Sequence, residues 1–408
     1  MTVQPPTVSV PSPHAPWGSP TLVQLRHLRE YTAENGPMSI YGDDGIFRKF
    51  EDALSESYKL PYCMLTNSGT SALNSGYFGL GVQAGDEVIV PTYTFLATVT
   101  PLLRLGARLV FCDADPVTGN ISSVDLERKL TAKTKVVAIT HMWGVPCEMA
   151  AIMPVIKNSH AKLLEDCSHA HFTRYKDKML GTFGDVACFS IGAKKTMTSG
   201  EGGFLVTSDP EVYVRATLLG HFARRSEQTI EFLRSKGMSE IAGKYADLTV
   251  GFGENYRMHP YSAVMANALL ESGEIFDLIT RRSSSLKYFS AILKDISGID
   301  PPDVDDDYYT GAMYGFKARI DAPDASELRL ILEELRSRNV NIKAPDSGPL
   351  HVERVFARAA AGKFPGVYEY LRGRVSLPTF SGGMPEDKRV IDQYGEVLAY
   401  VLAQHGRK

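Results

Sequence analysis

The chain has 408 residues, 44% hydrophobic and 22% charged, which supplies a large buried core and excludes disordered, collagen-like and disulfide-scaffold classes. Its 44 basic and 47 acidic residues leave a net charge of −3, so no strong positive field is offered to nucleic acid. No apolar run reaches the roughly 18 residues of a membrane span, and the opening MTVQPPTVSV lacks a basic n-region, so a cytoplasmic protein with no membrane or nucleic-acid partner is expected.

In chain order, residues 1–20 hold Pro5, Pro6, Pro11, Pro13, Pro16 and Pro20 and read as a flexible or extended arm. From Gly42 onward, Ile46, Phe47, Phe50, Leu54 and Tyr58 recur at helical spacing. Short β-rich runs follow at Glu87–Val90, Arg108–Cys112, Lys135–Thr140, Lys162–Glu165, Val186–Ser190 and Gly203–Thr207, most of the early ones separated by segments of helical length. This alternation predicts an α/β protein with a mostly parallel sheet covered on both faces, whose ligands sit at the carboxyl ends of the strands. A helical connector from about Tyr261 to Leu293 divides a large domain, 21–285, from a smaller α+β domain, 286–408. There the pattern predicts a strand over Tyr308–Ile320 and helices over Ser326–Ser337 and Lys388–Leu402.

The five cysteines, Cys63, Cys112, Cys147, Cys167 and Cys188, form no CxxC pair and read as buried reduced thiols. The run Gly79-Leu80-Gly81-Val82-Gln83-Ala84-Gly85 follows a helix and misplaces the third glycine of a dinucleotide fingerprint, so it reads as a helix cap and turn. P-loop and HExxH motifs are absent.

Three segments carry chemistry. In Asn67-Ser68-Gly69-Thr70-Ser71-Ala72-Leu73, small hydrogen-bonding residues open a helix, whose free N–H groups and dipole suit an anion; taken alone it reads more readily as an ordinary N-cap than as a phosphate site. In Leu163-Leu164-Glu165-Asp166-Cys167-Ser168-His169-Ala170-His171, an apolar strand ends in acids placed to meet a bound cation. A metal set of Asp166, His169 and His171 lacks a second ligand cluster, so no metal is expected, and Glu165 reads as a satisfied charge. Lys194 and Lys195 follow a buried strand within a run of small and apolar residues that would desolvate an amine and leave it nucleophilic, as a Schiff-base lysine requires. A phosphate cradle, an acid and a nucleophilic lysine match the three polar ends of pyridoxal 5′-phosphate.

With these motifs in this order, the sequence resembles the DegT/DnrJ/EryC1/StrS aminotransferases from about Gly42 to Leu377-Pro378-Thr379-Phe380. The resemblance implies a fold-type I, aspartate aminotransferase-like three-layer sandwich. NSGTSAL is similar to the family's phosphate loop, which implies phosphate contacts by Gly69, Thr70 and Ser71, with Ser190 beside them. PTYTF implies that Phe95 stacks on the cofactor ring; EDCSHAH implies that Asp166 pairs with the ring nitrogen and that His169 lies by the ring or its hydroxyl. In FSIGAKKTMTSGEGG the family's lysine stands five residues before the first glycine of GEGG, which selects Lys195 over Lys194. Gly253-Glu254-Asn255-Tyr256-Arg257-Met258 resembles a block whose asparagine reaches the partner's phosphate, so Asn255 implies a homodimer with shared sites, with Tyr256 and Arg257 near substrate. Gly220-His221-Phe222-Ala223-Arg224-Arg225 matches a position near the substrate mouth, where Arg224 or Arg225 could meet an anion or be ordinary surface arginine.

Phe172 departs from the family, which usually has glycine there, and implies a reshaped pocket wall. The implied activity is ping-pong transfer of an amino group from L-glutamate or L-glutamine to a keto-sugar, nucleotide-linked, or a keto-cyclitol, in amino-sugar or antibiotic biosynthesis. Pyridoxamine 5′-phosphate would be the cofactor's alternate form. The alternatives are a dehydratase, lyase or epimerase on the same cofactor, and a cofactor-binding regulatory protein without turnover. The retained Lys195 argues against the dehydratase branch, where histidine replaces it.

Overall fold

A computed structural model describes residues 5–8, 20–303, 311, 313–345, 348–359, 361–380 and 382–406. Continuous apolar runs build its central sheet: β1 (Tyr62–Thr66), β2 (Glu87–Pro91), β3 (Arg108–Cys112), β4 (Thr134–Thr140) and β5 (Lys162–Asp166) are followed, after the two-residue pair β6 (Arg174–Tyr175) and β7 (Lys178–Met179), by β8 (Val186–Ser190) and β9 (Gly203–Thr207). The order is β1-β9-β8-β5-β4-β2-β3. All neighbours pair in parallel except β9, which is antiparallel to both β1 and β8.

Helices α1 (Leu22–Ala33), α2 (Ile46–Tyr58), α3 (Gly69–Gly79), α4 (Thr100–Arg104), α5 (Ser123–Lys129) and α6 (Met149–Lys157) precede or alternate with the first strands. After β9 come α7 (Pro210–Gly220), α8 (Arg224–Ser235), α9 (Ser239–Tyr245), α10 (Pro260–Glu271) and α11 (Glu274–Lys294). Successive strand residues face opposite sides of a sheet, so Ile89 and Leu163 enter the core on one face while Val88, Val90 and Leu164 enter the core on the other. A third core is formed by the antiparallel strands β10 (Ile299–Asp300), β11 (Phe316–Ile320) and β12 (Arg374–Leu377) together with α12 (Ala325–Ser337) and α14 (Lys388–His405); α13 (Pro365–Leu371) packs back on the large unit. Helix α11 belongs to two cores, through Ile275 and Ile279 at its start and Leu286, Phe289 and Leu293 further on.

The six expected strands occur within a residue of their sequence positions, and the helix at Ile46–Tyr58 is present. The connector, however, is two helices. Gly273 takes a left-handed φ of 76°, which glycine adopts without strain, and turns the chain between α10 and α11. The strand expected over Tyr308–Ile320 begins only at Phe316; residues 308–310 and 312 lie outside the described residues. Of the arm, Val8 is fixed: it is buried, its N–H donates to the Arg338 carbonyl at 3.0 Å, and Asn339 Nδ2 donates to the Val8 carbonyl at 3.2 Å. Residues 1–4 and 9–19 lie outside the described residues. Helix α1 was not expected, because its buried residue is Gln24, whose amide donates to the Thr198 and Met265 carbonyls, while Leu22 and Leu25 are exposed. Among the described residues no helix is long and apolar enough to cross a membrane.

The parallel strands all finish at one edge of the sheet, and β9 starts there. The register Thr66↔Gly203↔Ser190 and Thr140↔Asp166 sets their ends side by side. A Cβ on Gly203 would lie 2.5 Å from the Ser68 carbonyl carbon and 2.6 Å from the Gly69 nitrogen, so glycine is what lets the mouth of α3 close onto the sheet. Gly203→Ala is expected to cost about 1–3 kcal/mol by overpacking against backbone that cannot retreat. Thermal denaturation checks this; an unchanged melting temperature would contradict the close approach.

Candidate active site

The mouth of α3 is shaped by its own cap. Ser68 Oγ accepts the Ser71 N–H at 3.1 Å, and Ser71 Oγ donates to Asn67 Oδ1 at 2.6 Å, so both hydroxyls serve the turn. The N–H groups of Gly69 and Thr70 fall in the first helical turn, where no preceding carbonyl can accept them, and they point with the helix dipole toward the strand ends. Ser190 stands against this mouth, since a Cβ on Gly69 would lie 2.6 Å from the Ser190 Cβ.

On the strand next to that of Ser190, Asp166 ends β5 buried among hydroxyls. Thr98 Oγ1 donates to Asp166 Oδ2 at 2.6 Å, and the Ser168 N–H donates to Oδ1 at 3.0 Å. With its proton committed to the carboxylate, Thr98 accepts from Thr94 at 2.9 Å, which accepts from Thr140 at 2.8 Å. Three hydroxyl dipoles are thereby aligned on one carboxylate. Glu165 faces the other side, accepting from the N–H groups of Gly181, Phe183 and Gly184 and from His141 Nε2 at 3.2 Å. His141, Glu165 and Cys167 lie close enough together to suggest a metal, yet Glu165 is saturated and His141 Nδ1 accepts the Cys147 N–H at 3.0 Å. Hydrogen bonding within the fold accounts for them.

Lys195 lies in the loop after β8 with its amine largely desolvated. Burial pulls its pKa from 10.5 down to about 8, opposed by the charge of Asp166. Its Nζ sits 4.6 Å from the centroid of the Tyr314 ring. Tyr314 stacks on His169 at 4.1 Å and 8°, and Trp143 stacks on the same histidine at 5.6 Å. His169 Nδ1 accepts the Trp143 N–H at 3.3 Å. Burial, with the charges of Lys195 and Lys317, holds His169 well below its ordinary range, so it is neutral; burial and Lys195 push His171 down to about 3. Thr98, Trp143 and Tyr314 were not singled out from the sequence. They lie 68, 23 and 148 residues from Asp166, and no local motif marks them.

A desolvated lysine, a fixed carboxylate and an open helix mouth on one sheet edge agree with what a scan against family models returns: residues 32–394 match the DegT/DnrJ/EryC1/StrS aminotransferase family. The chain belongs to this family. Among curated relatives, GDP-perosamine synthase of Escherichia coli O157:H7 is 36% identical over 235 residues, 58% of this chain and 59% of the relative. L-glutamine:2-deoxy-scyllo-inosose aminotransferase of Micromonospora echinospora is 34% identical over 206 residues, 50% of this chain and 48% of the relative. These matches thus span about half to three fifths of the relatives' lengths. Among solved structures, the aminotransferase from Psychrobacter cryohalolentis superposes with a TM-score of 0.84 at 24% identity, over 97% of this chain and 100% of that one, and shows the same fold.

As a DegT/DnrJ/EryC1/StrS member, the chain places its other expected residues unevenly. Phe95 follows β2 on the same edge, 58% exposed. Asn255 is exposed; its carbonyl accepts from Asn67 Nδ2 at 3.2 Å, so its segment docks beside the α3 mouth. Arg257 lies over the Tyr41 and Phe222 rings at 4.4 and 5.7 Å, and Arg224 pairs with Asp44 at 2.7 Å on the surface. Tyr256 is buried, its hydroxyl accepting from Asn74 Nδ2 at 2.5 Å, so it anchors α3 instead of facing substrate. Arg225 is likewise removed from the mouth: it is 2% exposed and donates to both oxygens of Glu51, to Tyr213, and toward Asp43 at 3.4 Å. Phe172 packs on aromatic rings. It is buried between Tyr58, stacked at 5.3 Å, and Phe276 at 5.0 Å. Its φ of 53° is the left-handed conformation that favours glycine, which explains the residue usual in the family at this position.

Arg225→Ala leaves the buried Glu51 without its cation, Asp43 still having Arg48, and is expected to destabilise the fold by about 3–5 kcal/mol. Denaturant unfolding checks this; a variant of unchanged stability with a raised KM would return Arg225 to the substrate site.

Proposed function

We propose that this chain is a pyridoxal phosphate-dependent aminotransferase that moves an amino group from L-glutamate or L-glutamine to a keto-sugar, nucleotide-linked, or a keto-cyclitol, in two half-reactions. The observation that carries the reading is the Lys195 amine, lowered to about 8 by burial and near enough to Asp166 to feel its charge. The residues fit each polar end of the cofactor. Gly69 and Thr70 N–H groups and the Ser190 hydroxyl suit its phosphate, Asp166 its ring nitrogen, Lys195 its aldehyde; Ser71 supports the turn. Neutral His169 would lie by the ring or its hydroxyl, and Phe95 would stack on the ring.

When bound, the cofactor supplies an aldehyde and an electron-withdrawing ring that stabilises the carbon left when an α-proton departs. The chain does the rest. Asp166, clamped by Thr98 and the Ser168 N–H, would hold the ring nitrogen. Lys195, its pKa lowered to about 8, would supply the amine that holds the cofactor's aldehyde, with water as the group lost, and would take up and return the proton at the donor's Cα once the donor's amine had displaced it. The relatives' names support a sugar or cyclitol acceptor and a glutamine-type donor.

A homodimer sharing its sites belongs to the same reading. Asn255 is exposed next to the α3 mouth, and the neighbouring side chains Phe222, Val250 and Phe252 leave apolar surface for a second copy to cover. The division into 21–285 and 286–408 rests on α11, which contributes to the large core before residue 285 and to the small one after it.

The test is the visible absorption of the cofactor-loaded protein on adding L-glutamate or L-glutamine without an acceptor. The yellow band is expected to fade with a donor and return with a keto acceptor, to be missing in Lys195→Ala, and to persist in Lys194→Ala. A band unchanged by both donors, or retained in Lys195→Ala, would contradict the reading.

A further inference from the structure

Tyr314 is fixed by close backbone approaches on either side of it. A Cβ on Gly144 would lie 2.9 Å from the Tyr314 nitrogen and 2.9 Å from the His169 carbonyl oxygen, and one on Gly315 would lie 2.7 Å from the Trp143 ring. Glycine at both positions therefore lets the segment ahead of β11 close onto the Trp143–Gly144 turn, where the Gly315 N–H donates to the Trp143 carbonyl at 3.1 Å. The phenol ring, stacked on His169 and nearly parallel to Trp143 at 6.1 Å and 11°, has little room to turn. Lys195 is anchored at its backbone in turn: its N–H donates to the Gly192 carbonyl at 2.9 Å, and the next side chain, Thr196, accepts from the buried Arg282 at 3.3 Å. What can move is the lysine side chain, and its Nζ lies 4.6 Å from the centre of the fixed ring, with no hydrogen bond to a described residue.

An aromatic face carries a negative potential that attracts an ammonium group, more strongly where water is excluded, yet it offers no single acceptor atom. A second carboxylate at this place would pair with the cation and hold it charged. The ring holds the amine by contact and releases it without a hydrogen bond to break. Of the titratable groups that act on Lys195 or feel its charge, Asp166 is the one that favours the cation. His169 is neutral, held low by burial and by Lys195 and Lys317, and His171 is neutral through burial and Lys195. Burial raises the Tyr314 hydroxyl above its ordinary range, so the ring is uncharged wherever the amine titrates.

We propose that Tyr314 is a positioning residue for Lys195: its ring face is the seat of the lysine amine whenever that amine is not joined to the cofactor, and it keeps the amine within reach for its return. The inference rests on the reading of Lys195 as the residue that holds the cofactor's aldehyde. Tyr314 itself makes and breaks no covalent bond and moves no proton. Its hydroxyl plays no part, so phenylalanine serves in its place and an aliphatic side chain does not.

The test titrates the Lys195 amine by acylation, read by mass spectrometry in the full chain freed of cofactor after its yellow band has been recorded. Tyr314→Leu is expected to lower the pH of half-maximal acylation by about half to one pH unit, and Tyr314→Phe, which keeps the ring face, to leave it in place. The sign separates this role from packing, since a smaller side chain that only admitted water would raise the value toward 10.5. Fluorinated phenylalanines at the same position keep the ring's shape while draining its face, so they remain informative if the leucine variant fails to fold; the value is expected to fall as fluorines are added. At about pH 10, where the amine is neutral in every variant, the yellow band is expected to return about tenfold more slowly in Tyr314→Leu when pyridoxal phosphate is added back, and at the parent rate in Tyr314→Phe. An acylation curve unchanged or raised in Tyr314→Leu, one indifferent to fluorination, or a band that returns at the parent rate in Tyr314→Leu would overturn the assignment. A parent chain that never shows the band overturns this inference together with the reading it rests on, whereas one that loads but whose Lys195 ignores the ring overturns only this one.

Discussion

The site depends on a contest between burial and charge at Lys195. Removing an ammonium group from water favours the neutral amine, while the Asp166 carboxylate favours the cation, and burial prevails by enough to bring the pKa to about 8. That balance requires the carboxylate to stay put. The hydroxyl chain from Thr140 through Thr94 and Thr98, with the Ser168 N–H, fixes it in place. A mobile or more distant acid would leave Lys195 a still weaker base.

Sheet topology then explains why these groups meet at all. Parallel pairing brings the ends of β4, β5 and β8 to one edge, and the reversed β9 lets β1 enter from the same side with the mouth of α3. The glycines at 69 and 203 remove the side chains that would hold helix and sheet apart. Tyr314, ahead of β11, joins the small sheet to Lys195. The chemistry thus sits where the two packing units face each other.

Much of this was legible in the sequence for physical reasons. Strands buried on both faces read as unbroken apolar runs, which is why Val186–Ser190 and Gly203–Thr207 emerge with their observed limits. Lys195 and Asp166 stand out because a charge at the end of such a run needs a reason. What stayed hidden was set by tertiary packing. Helix α1 buries a glutamine, so it lacks an apolar stripe. Arg225 reads as surface arginine until Glu51, far back in the chain, is found against it. The Trp143–His169–Tyr314 stack joins three segments with no common motif, and Phe172 occupies a core site by accepting a backbone conformation that glycine would take without strain.

The most direct measurement is the pKa of Lys195 in the protein freed of cofactor, from the pH dependence of its acylation read peptide by peptide in a mass spectrometer. The account predicts half-maximal reactivity near pH 8, shifted lower in Asp166→Asn, because that carboxylate raises the value. A Lys195 that titrates near 10.5, or one indifferent to Asp166→Asn, would contradict the coupling of amine and acid on which the site is built.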